Sequence, residues 1–329
     1  MRLGVLDVGS NTVHLLVVDA HRGGHPTPTT SEKTQLRLAE HLDEAGDLTP
    51  AGAVALVQAV SRAKAAAAVA GCDELLSFAT SALRDAGNSV AVLQRVRAET
   101  GVALRMLPGE DEARYTFLAV RRWYGWSAGR LLVLDIGGGS LELAAGRDED
   151  PDVAESLPLG AGRLTRRWFS TDPPSRAEIV ALAEHVDAEL APVSERVLER
   201  GEFELAVATS KTFRSLARLT GAAPSAAGLR TRRVLTETGL RQLVAFISRM
   251  SSRDLAELEG VSPRRAHQLV AGAVVAGAAM RALRLSELEI CPWALREGVI
   301  LRRLDTLGAV SRPERRWPLT DRRARRSSG

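Results

Sequence analysis

One short sequence pattern occurs twice in this chain, and it restricts the possible folds more than any other feature. The run Leu6-Asp7-Val8-Gly9-Ser10-Asn11-Thr12 recurs 128 residues later as Leu134-Asp135-Ile136-Gly137-Gly138-Gly139-Ser140. In each copy an aspartate closes an apolar run, small residues follow, and a second apolar run begins, which is typical of two strands joined by a tight turn. The spacing is too long for a solenoid repeat and close to the size of one domain. The repeat therefore predicts two related domains that each present the same turn.

The chemistry of the two turns indicates a phosphate site. Small residues after a strand let consecutive backbone N–H groups converge on an anion, and neighbouring hydroxyl and amide side chains add donors. The predicted substrate-binding residues are therefore Gly9, Ser10, Asn11, Thr12, Gly137, Gly138, Gly139 and Ser140. Asp7 and Asp135 would repel phosphate directly, so we expect them to hold a divalent cation, Mg²⁺ or alternatively Mn²⁺, or its bound waters.

Two commoner phosphate motifs are absent from the sequence. No G-x-x-x-x-G-K-[ST] run occurs, and Gly137-x-Gly139 has Glu142 where a dinucleotide fingerprint needs its third glycine. Neither a P-loop nor a Rossmann dinucleotide site is predicted.

The order of apolar and breaker residues predicts an alternating α/β body followed by a mainly helical second half. The predicted elements are a hairpin over 3–19, helices over 50–70, 89–100 and 110–124, and strands over 75–79, 102–107, 131–135, 141–145 and 205–208. From about residue 175 the chain is predicted to be mostly helical.

Composition fits a globular protein with two cores. The chain has 329 residues, of which 45% are hydrophobic and 26% charged. The longest weakly polar stretch, Leu269 to Met280, is shorter than the ~20 residues that a spanning helix needs. Met1-Arg2 leads directly into a strand-like run, so we expect no signal peptide and a cytoplasmic location. Cys72 and Cys291 are far apart, which argues against a disulfide or a structural zinc site.

The basic charge is concentrated at the C-terminus. The net charge is +4, but after residue 311 seven arginines stand against Glu314 and Asp321, so this tail carries +5 and the rest of the chain −1. We therefore predict a basic, disordered tail over 306–329 and no specific nucleic-acid partner.

Five motifs, in order, resemble the exopolyphosphatase and guanosine pentaphosphate phosphohydrolase (Ppx/GppA) family of the sugar kinase, actin and heat-shock chaperone superfamily. They are the two turns already described, Ala79-Thr-Ser-Ala-Leu-Arg-Asp-Ala-Gly-Asn88, Gly109-Glu-Asp-Glu-Ala-Arg114 and Leu159-Gly-Ala-Gly-Arg-Leu164. The resemblance implies an α/β fold of two actin-like, ribonuclease H-like domains with an interdomain cleft. It places these domains at 1–125 and 126–305, and it implies a homodimer.

The resemblance also implies residue roles. Glu112 corresponds to the base that activates the attacking water, and Glu142 to a carboxylate that holds the metal or that water. Arg84 and Asn88 correspond to residues that contact phosphate oxygens. Lys211 stands where the family usually has glycine, and it would bind a distal phosphate if it faces the cleft.

The favoured function is an exopolyphosphatase that removes the terminal phosphate of inorganic polyphosphate. Magnesium would assist an in-line attack of water activated by Glu112. Because the extra C-terminal domains of longer family members have no counterpart here, short chains are the expected substrates, and no membrane partner is expected. Three alternatives stay open: a guanosine pentaphosphate 5′-phosphohydrolase, a sugar or acid kinase, and a non-catalytic sensor of polyphosphate or nucleotides.

Overall fold

The computed structural model describes residues 1–21 and 23–310. Two mixed sheets form its framework. The first contains β1 (Arg2–Val8), β2 (Thr12–Asp19), β3 (Pro28–Gln35), β4 (Glu74–Ala79) and β5 (Arg105–Met106), in the order β3-β2-β1-β4-β5. The second contains β6 (Leu131–Ile136), β7 (Leu141–Gly146), β8 (Val153–Leu157), β9 (Leu205–Thr209), β10 (Val234–Thr236) and β11 (Glu287–Ile290), in the order β10-β11-β9-β6-β7-β8.

The two sheets share one topology, which confirms the duplication predicted from the repeated turn. In the first sheet β3, β2 and β1 are antiparallel, and β4 and β5 continue parallel to β1. In the second sheet β8, β7 and β6 are antiparallel, β9 and β11 continue parallel to β6, and β10 adds an antiparallel edge. Each repeated turn joins the first two strands of its sheet.

Helices pack around both sheets. They are α1 (Pro50–Val69), α2 (Ser81–Arg84), α3 (Ser89–Thr100), α4 (Gly109–Tyr124), α5 (Ala161–Trp168), α6 (Arg176–Glu199), α7 (Ser210–Leu219), α8 (Glu237–Ile247), α9 (Ser252–Ala256), α10 (Leu269–Ala282) and α11 (Leu295–Val310). Local signals set several bounds. Thr49 caps α1 by accepting a hydrogen bond from the Gly52 N–H at 3.2 Å, and Gly101, with φ +69°, ends α3.

Helix α1 is the one described helix that is long and apolar enough to cross a membrane by length and composition. The longest weakly polar stretch of the sequence, Leu269 to Met280, lies in α10 instead. In the structure Leu56, Ala59 and Val60 of α1 are fully buried in the core of the first domain. This packing is that of a core helix. Helix α10 is likewise almost wholly buried.

Two helices connect the sheets. The buried face of α4, which includes Phe117, packs on β6, β7 and β8 of the second sheet, although its residues precede the predicted boundary at 125. Helix α11 packs on α4 and on β1, and Gly298 lies directly on the backbone of Tyr115, where no side chain fits. The domain limits stay a prediction, but the chain crosses between the sheets at both helices.

The strand predictions were inaccurate in two respects. The strand predicted over 102–107 is reduced to the two residues of β5, and β3, β8, β10 and β11 were not predicted. Helix α11 begins at Leu295 and continues to Val310. Residues 311–329 of the predicted tail lie outside the described residues.

Candidate active site

The two repeated turns have the same internal hydrogen bond. The Gly9 N–H donates to the carbonyl of Thr12, and the Gly137 N–H to the carbonyl of Ser140, each at 2.9 Å. Within the described residues, the backbone N–H groups of Ser10, Asn11, Gly138 and Gly139 donate to no protein acceptor. Free, neighbouring amides of this kind are suited to an anion.

The turns face each other across the cleft. A methyl group on Gly138 would lie 2.6 Å from Asn11 Nδ2 and 3.0 Å from Ser10 Cβ, and one on Gly139 would collide with Ser81 Oγ. The hydroxyls of Ser10 and Ser81 are 3.0 Å apart. Glycine is therefore required in the second turn because the first turn lies so close.

The predicted motif at 159–164 supports the second turn from behind. The Ala161 N–H donates to the Gly137 carbonyl at 3.0 Å, and Arg163 bonds the carbonyls of Gly138 and Gly139 through its backbone N–H and its Nε, both at 2.8 Å. A side chain on Gly160 would overlap the backbone of Gly139 and Ser140. These contacts engage the carbonyls of the second turn, while the N–H groups of Gly138 and Gly139 have no protein partner among the described residues.

A cavity of 480 Å³ lies between the turns. It brings together most of the predicted site residues, which are Asp7, Gly9, Ser10, Asn11, Thr12, Glu112, Asp135, Gly137, Gly138, Ser140, Glu142 and Lys211. Gly139 is buried against Ser81 rather than exposed to the cavity. Arg84 lies just outside, in the wall of an adjoining pocket of 320 Å³ that shares Ser140 with the cavity.

Asn88 is the exception among the predicted residues. Its side-chain amide accepts a hydrogen bond from the Leu48 N–H at 3.0 Å and donates one to the Leu48 carbonyl at 2.9 Å. Asn88 lines neither the cavity nor the adjoining pocket. The expectation that it contacts phosphate is corrected accordingly, since both polar groups of its side chain hold the segment before α1.

Glu112 is buried at one end of the cavity, in the first turn of α4, and forms an ion pair with Arg84 Nη1. Burial raises the pKa of Glu112 well above its ordinary value, and the nearby Glu142 raises it further. Arg84 acts in the opposite direction. A carboxyl whose pKa is moved toward neutrality is a better proton acceptor, provided that it is ionised.

Three further carboxylates lie near this end. Burial raises the pKa of Asp135 to about 6, and burial followed by the charge of Asp135 raises that of Glu142 to about 7. The Ser156 hydroxyl donates to Glu142 Oε1 at 3.0 Å. Burial also raises the pKa of Asp7, which accepts a hydrogen bond from Arg296 Nη1 at 3.0 Å. Together with Glu112, these groups are the carboxylates of the cavity wall.

The carboxylates suit magnesium but do not form a complete protein cage. No group of three or more metal-ligating side chains is close enough to hold an ion among residues 1–21 and 23–310. Magnesium usually binds proteins through one or two carboxylates together with substrate phosphates and water, so a full set is not needed. Asp135 and Glu142 match this requirement, because both are buried carboxylates. The charge of Asp135 raises the pKa of Glu142, and the charge of Asp7 raises that of Asp135.

The two turns differ at one paired position. Asp135 pairs with Glu142 across β6 and β7, whereas the equivalent partner of Asp7 across β1 and β2 is His14. His14 is buried, which with nearby cations lowers its pKa to about 3, and it shares a hydrogen bond of 2.7 Å with Ser31 Oγ. It is therefore neutral, and the first turn has one carboxylate while the second has two.

Sequence reasoning missed most of the basic residues of the cavity. Lys33, Arg214, Arg264, Arg265 and Arg296 line it in addition to Lys211. Among the described residues, the side chains of Lys33, Lys211, Arg264 and Arg265 have no hydrogen bond or ion pair. No local motif marks them, because β3, α7 and the short helix at Pro263–Gln268 place them in the cavity only when the chain is folded.

Fold and site together define a class: an actin-like protein of two domains whose cleft presents two facing glycine-containing turns and a buried carboxylate. Solved structures with this fold include an exopolyphosphatase from Cytophaga hutchinsonii, which is 22% identical, has a TM-score of 0.84 and is covered over 98% of its chain and 93% of this one. A Ppx/GppA family member from Aquifex aeolicus has a TM-score of 0.78 at 24% identity, with 93% of this chain and 98% of that chain covered.

The family is then established by sequence. The Ppx/GppA phosphatase family model matches residues 17–307. Exopolyphosphatase 1 of Mycobacterium tuberculosis is 67% identical over 306 residues, which cover 93% of this chain and 89% of that protein. Exopolyphosphatase 1 of Mycobacterium leprae is 64% identical, with 93% and 90% covered. The chain belongs to the Ppx/GppA phosphatase family.

Proposed function

We propose that this protein is an exopolyphosphatase that hydrolyses the terminal phosphate of inorganic polyphosphate. The observation that carries the proposal is that two facing turns with free amides share one cavity with the buried carboxylate of Glu112. The high identity to proteins named exopolyphosphatase 1 supports the same substrate.

In the proposed reaction the turns hold the terminal phosphate and Glu112 accepts the proton of the attacking water. Arg84, paired with Glu112, stands where it can neutralise charge on the phosphate oxygens during transfer. Magnesium, held by Asp7, Asp135 and Glu142 or their waters, would supply further charge neutralisation at the phosphate. The enzyme's main contributions are then positioning and electrostatics.

We also propose a preference for short chains. The unpaired cations at the site are gathered around a single cavity of 480 Å³, so the first few phosphates gain most of the available charge contacts and later ones gain few. The cytoplasmic location and the homodimer stay predictions from the sequence and its family resemblance.

A guanosine pentaphosphate 5′-phosphohydrolase is the second candidate, and one feature favours it. A pocket of 430 Å³ adjoins the cavity and shares Lys211, Arg214 and Ser262 with it. Its wall includes the apolar side chains of Pro224, Leu229 and Ile290. A nucleoside attached to phosphates in the cavity could occupy this pocket.

Phosphate release distinguishes the candidates. Wild-type protein with Mg²⁺ is incubated with polyphosphates of defined length, with guanosine pentaphosphate and with ATP. The same assays are run on Glu112→Gln and on the control variant Glu110→Gln, which changes an exposed carboxylate in the same turn of α4. Release from polyphosphate that is lost in Glu112→Gln alone supports the exopolyphosphatase. Release only from guanosine pentaphosphate would replace it with the nucleotide hydrolase, and binding without release would indicate a sensor.

A further inference from the structure

The pocket of 320 Å³ that adjoins the cavity has no role in the reaction as described so far. It shares Ser140 with the cavity, but none of the cavity's unpaired cations is among the described residues that line it. The exposed Pro158 belongs to its wall, so the pocket reaches the protein surface. It is therefore a second opening beside the same site.

The wall between the cavity and this pocket includes two hydrogen-bonded side-chain pairs. Glu112 lines the cavity, and its ion-pair partner Arg84 lines the pocket. Glu142 also lines the cavity, and Ser156, which donates to Glu142 Oε1 at 3.0 Å, lines the pocket. Because side chains change rotamer much faster than domains move, a wall of this kind can open locally while the two domains stay closed.

Arg84 keeps hydrogen-bond donors free on the pocket side of this wall. Its Nη1 donates to the Leu107 carbonyl at 3.1 Å and to Glu112, whereas Nε and Nη2 have no partner within the described residues. A methyl group on Gly109, which lines the pocket, would lie 3.5 Å from Nη2. The guanidinium can therefore donate to a phosphate oxygen in the pocket while Nη1 stays with Glu112.

Most of the other charges that line the pocket are already paired. Arg163 forms an ion pair with Asp85, and Arg196 Nη2 lies 2.6 Å from Glu155 Oε1. Paired charges attract a further anion only weakly, because each cation is neutralised by its partner. A phosphate that enters the pocket is contacted by Arg84 and is not retained beyond it.

The geometry of the proposed reaction gives such an opening a use. In an in-line attack the water and the leaving chain are on opposite faces of the phosphorus. Since Glu112 accepts the proton of the water, the released phosphate lies between Glu112 and the shortened chain. As long as that chain stays in the cavity, it blocks the entrance by which it came.

Resting on the proposed exopolyphosphatase function, we infer that the 320 Å³ pocket is the passage by which inorganic phosphate leaves while the shortened chain is still in the cavity. The phosphate passes between the pairs Arg84–Glu112 and Ser156–Glu142, and the free N–H groups of Arg84 contact it on the way out. The chain then does not have to leave the protein before the phosphate does.

A reversible block of the pocket tests this passage. Full-length Pro158→Cys is labelled with a bulky methanethiosulfonate reagent, which forms a mixed disulfide that a thiol reductant removes. We expect the label to lower kcat for polyphosphate about tenfold and kcat/KM much less, because slow product release limits kcat alone. Rapid quenching in acid should then show a burst of about one phosphate per protein molecule before the slow steady state, since cleavage itself is intact.

Three controls accompany the block. Reductant should restore kcat, which shows that the labelled protein has stayed folded. Val90→Cys carries the same label at an exposed position of α3 that lines neither the cavity nor the pocket, and its kcat should not change on labelling. Wild-type protein treated with the reagent accounts for the native Cys72 and Cys291. An unchanged kcat in labelled Pro158→Cys, or a lower kcat without a burst, would overturn the passage.

Product inhibition gives a second test in the unmodified protein. At inhibiting concentrations of inorganic phosphate we expect kcat to fall, and saturating polyphosphate not to restore it, because phosphate enters by the pocket while the chain occupies the cavity. Strictly competitive inhibition would overturn the passage, since phosphate and chain would then share one entrance. Wild-type protein that releases no phosphate from polyphosphate would refute the proposed function and the passage together, whereas release with competitive inhibition would refute the passage alone.

Discussion

Arg296 Nη1 donates a 3.0 Å hydrogen bond to Asp7 Oδ2, and so joins the last described helix to the end of the first strand. The two residues are 289 positions apart. Both side chains are mostly buried, and Arg296 Nε has no partner within the described residues. Since α11 also packs on α4, this contact ties the first turn to the two helices that connect the sheets.

We expect Arg296→Gln to destabilise the protein by about 1–3 kcal/mol, because it leaves the buried carboxylate of Asp7 without its ion-pair partner. Denaturant unfolding measures this loss. In the double variant Asp7→Asn/Arg296→Gln much of the stability should return, because the buried charge of Asp7 that needed a partner has been removed. Phosphate release should stay low, because the proposed role of the Asp7 carboxylate at the phosphate is lost as well. Equal stability of wild type and Arg296→Gln would contradict the assigned contact.

Two glycine variants should separate folding from binding. In Gly160→Ala the new methyl group would overlap the backbone of the second turn, so we expect a loss of about 1–3 kcal/mol in unfolding free energy. In Gly9→Ala the methyl would lie 3.7 Å from the Thr12 carbonyl oxygen and 3.9 Å from Thr80 Oγ1, which are ordinary contacts. That variant should keep its stability and lose phosphate release, since the methyl adds bulk beside the predicted phosphate site. Similar unfolding curves for both variants would show that Gly160 does not support the turn as described.

Magnesium binding should depend on pH in a defined direction. Burial raises the pKa of Asp135 to about 6 and that of Glu142 to about 7, so protons compete with the cation below neutrality. We expect Mg²⁺ affinity, measured by calorimetry in the presence of phosphate, to rise between about pH 6 and pH 8. Asp135→Asn should weaken binding, and Glu110→Gln should not. An affinity that is constant over this range, or that falls, would exclude these carboxylates as the cation's ligands.

Local pattern predicted the parts of the fold that depend on neighbouring residues. The hairpin over 3–19, the helix capped by Thr49 and the helix ended by Gly101 all occur where the sequence signals place them. Strand β3 was missed because Pro28–Gln35 is polar and mostly exposed, with no alternation of apolar residues to mark an edge strand. What makes this segment a strand is its pairing with β2, which is a tertiary contact and leaves no local pattern in the sequence.

The site residues that belong to short sequence motifs could be predicted, whereas those that only folding brings to the cavity could not. Both turns and Glu112 were found from short motifs, and the structure gathers them in one cavity. Lys33 and Arg265 were missed because their neighbours in sequence say nothing about which surface they face. Asn88 was assigned from resemblance, yet its amide is used by the backbone of Leu48, a contact 40 residues away that no motif records.

The ion pair between Arg84 and Glu112 should set the acid limit of activity. Glu112 must be ionised to accept a proton, and Arg84 lowers its pKa against the opposing effects of burial and Glu142. Removing that cation raises the pKa of Glu112, so in Arg84→Gln activity should disappear at a higher pH as the solution is acidified. We expect the acid limb of the profile of kcat/KM against pH to move up by about 1 pH unit or more, the usual effect of one close opposite charge. Arg84→Lys should keep the limb near its wild-type position, and Arg95→Gln, which breaks an exposed ion pair with Glu99 on α3, should not move it. An acid limb that stays in place in Arg84→Gln would mean that a group other than Glu112 accepts the proton.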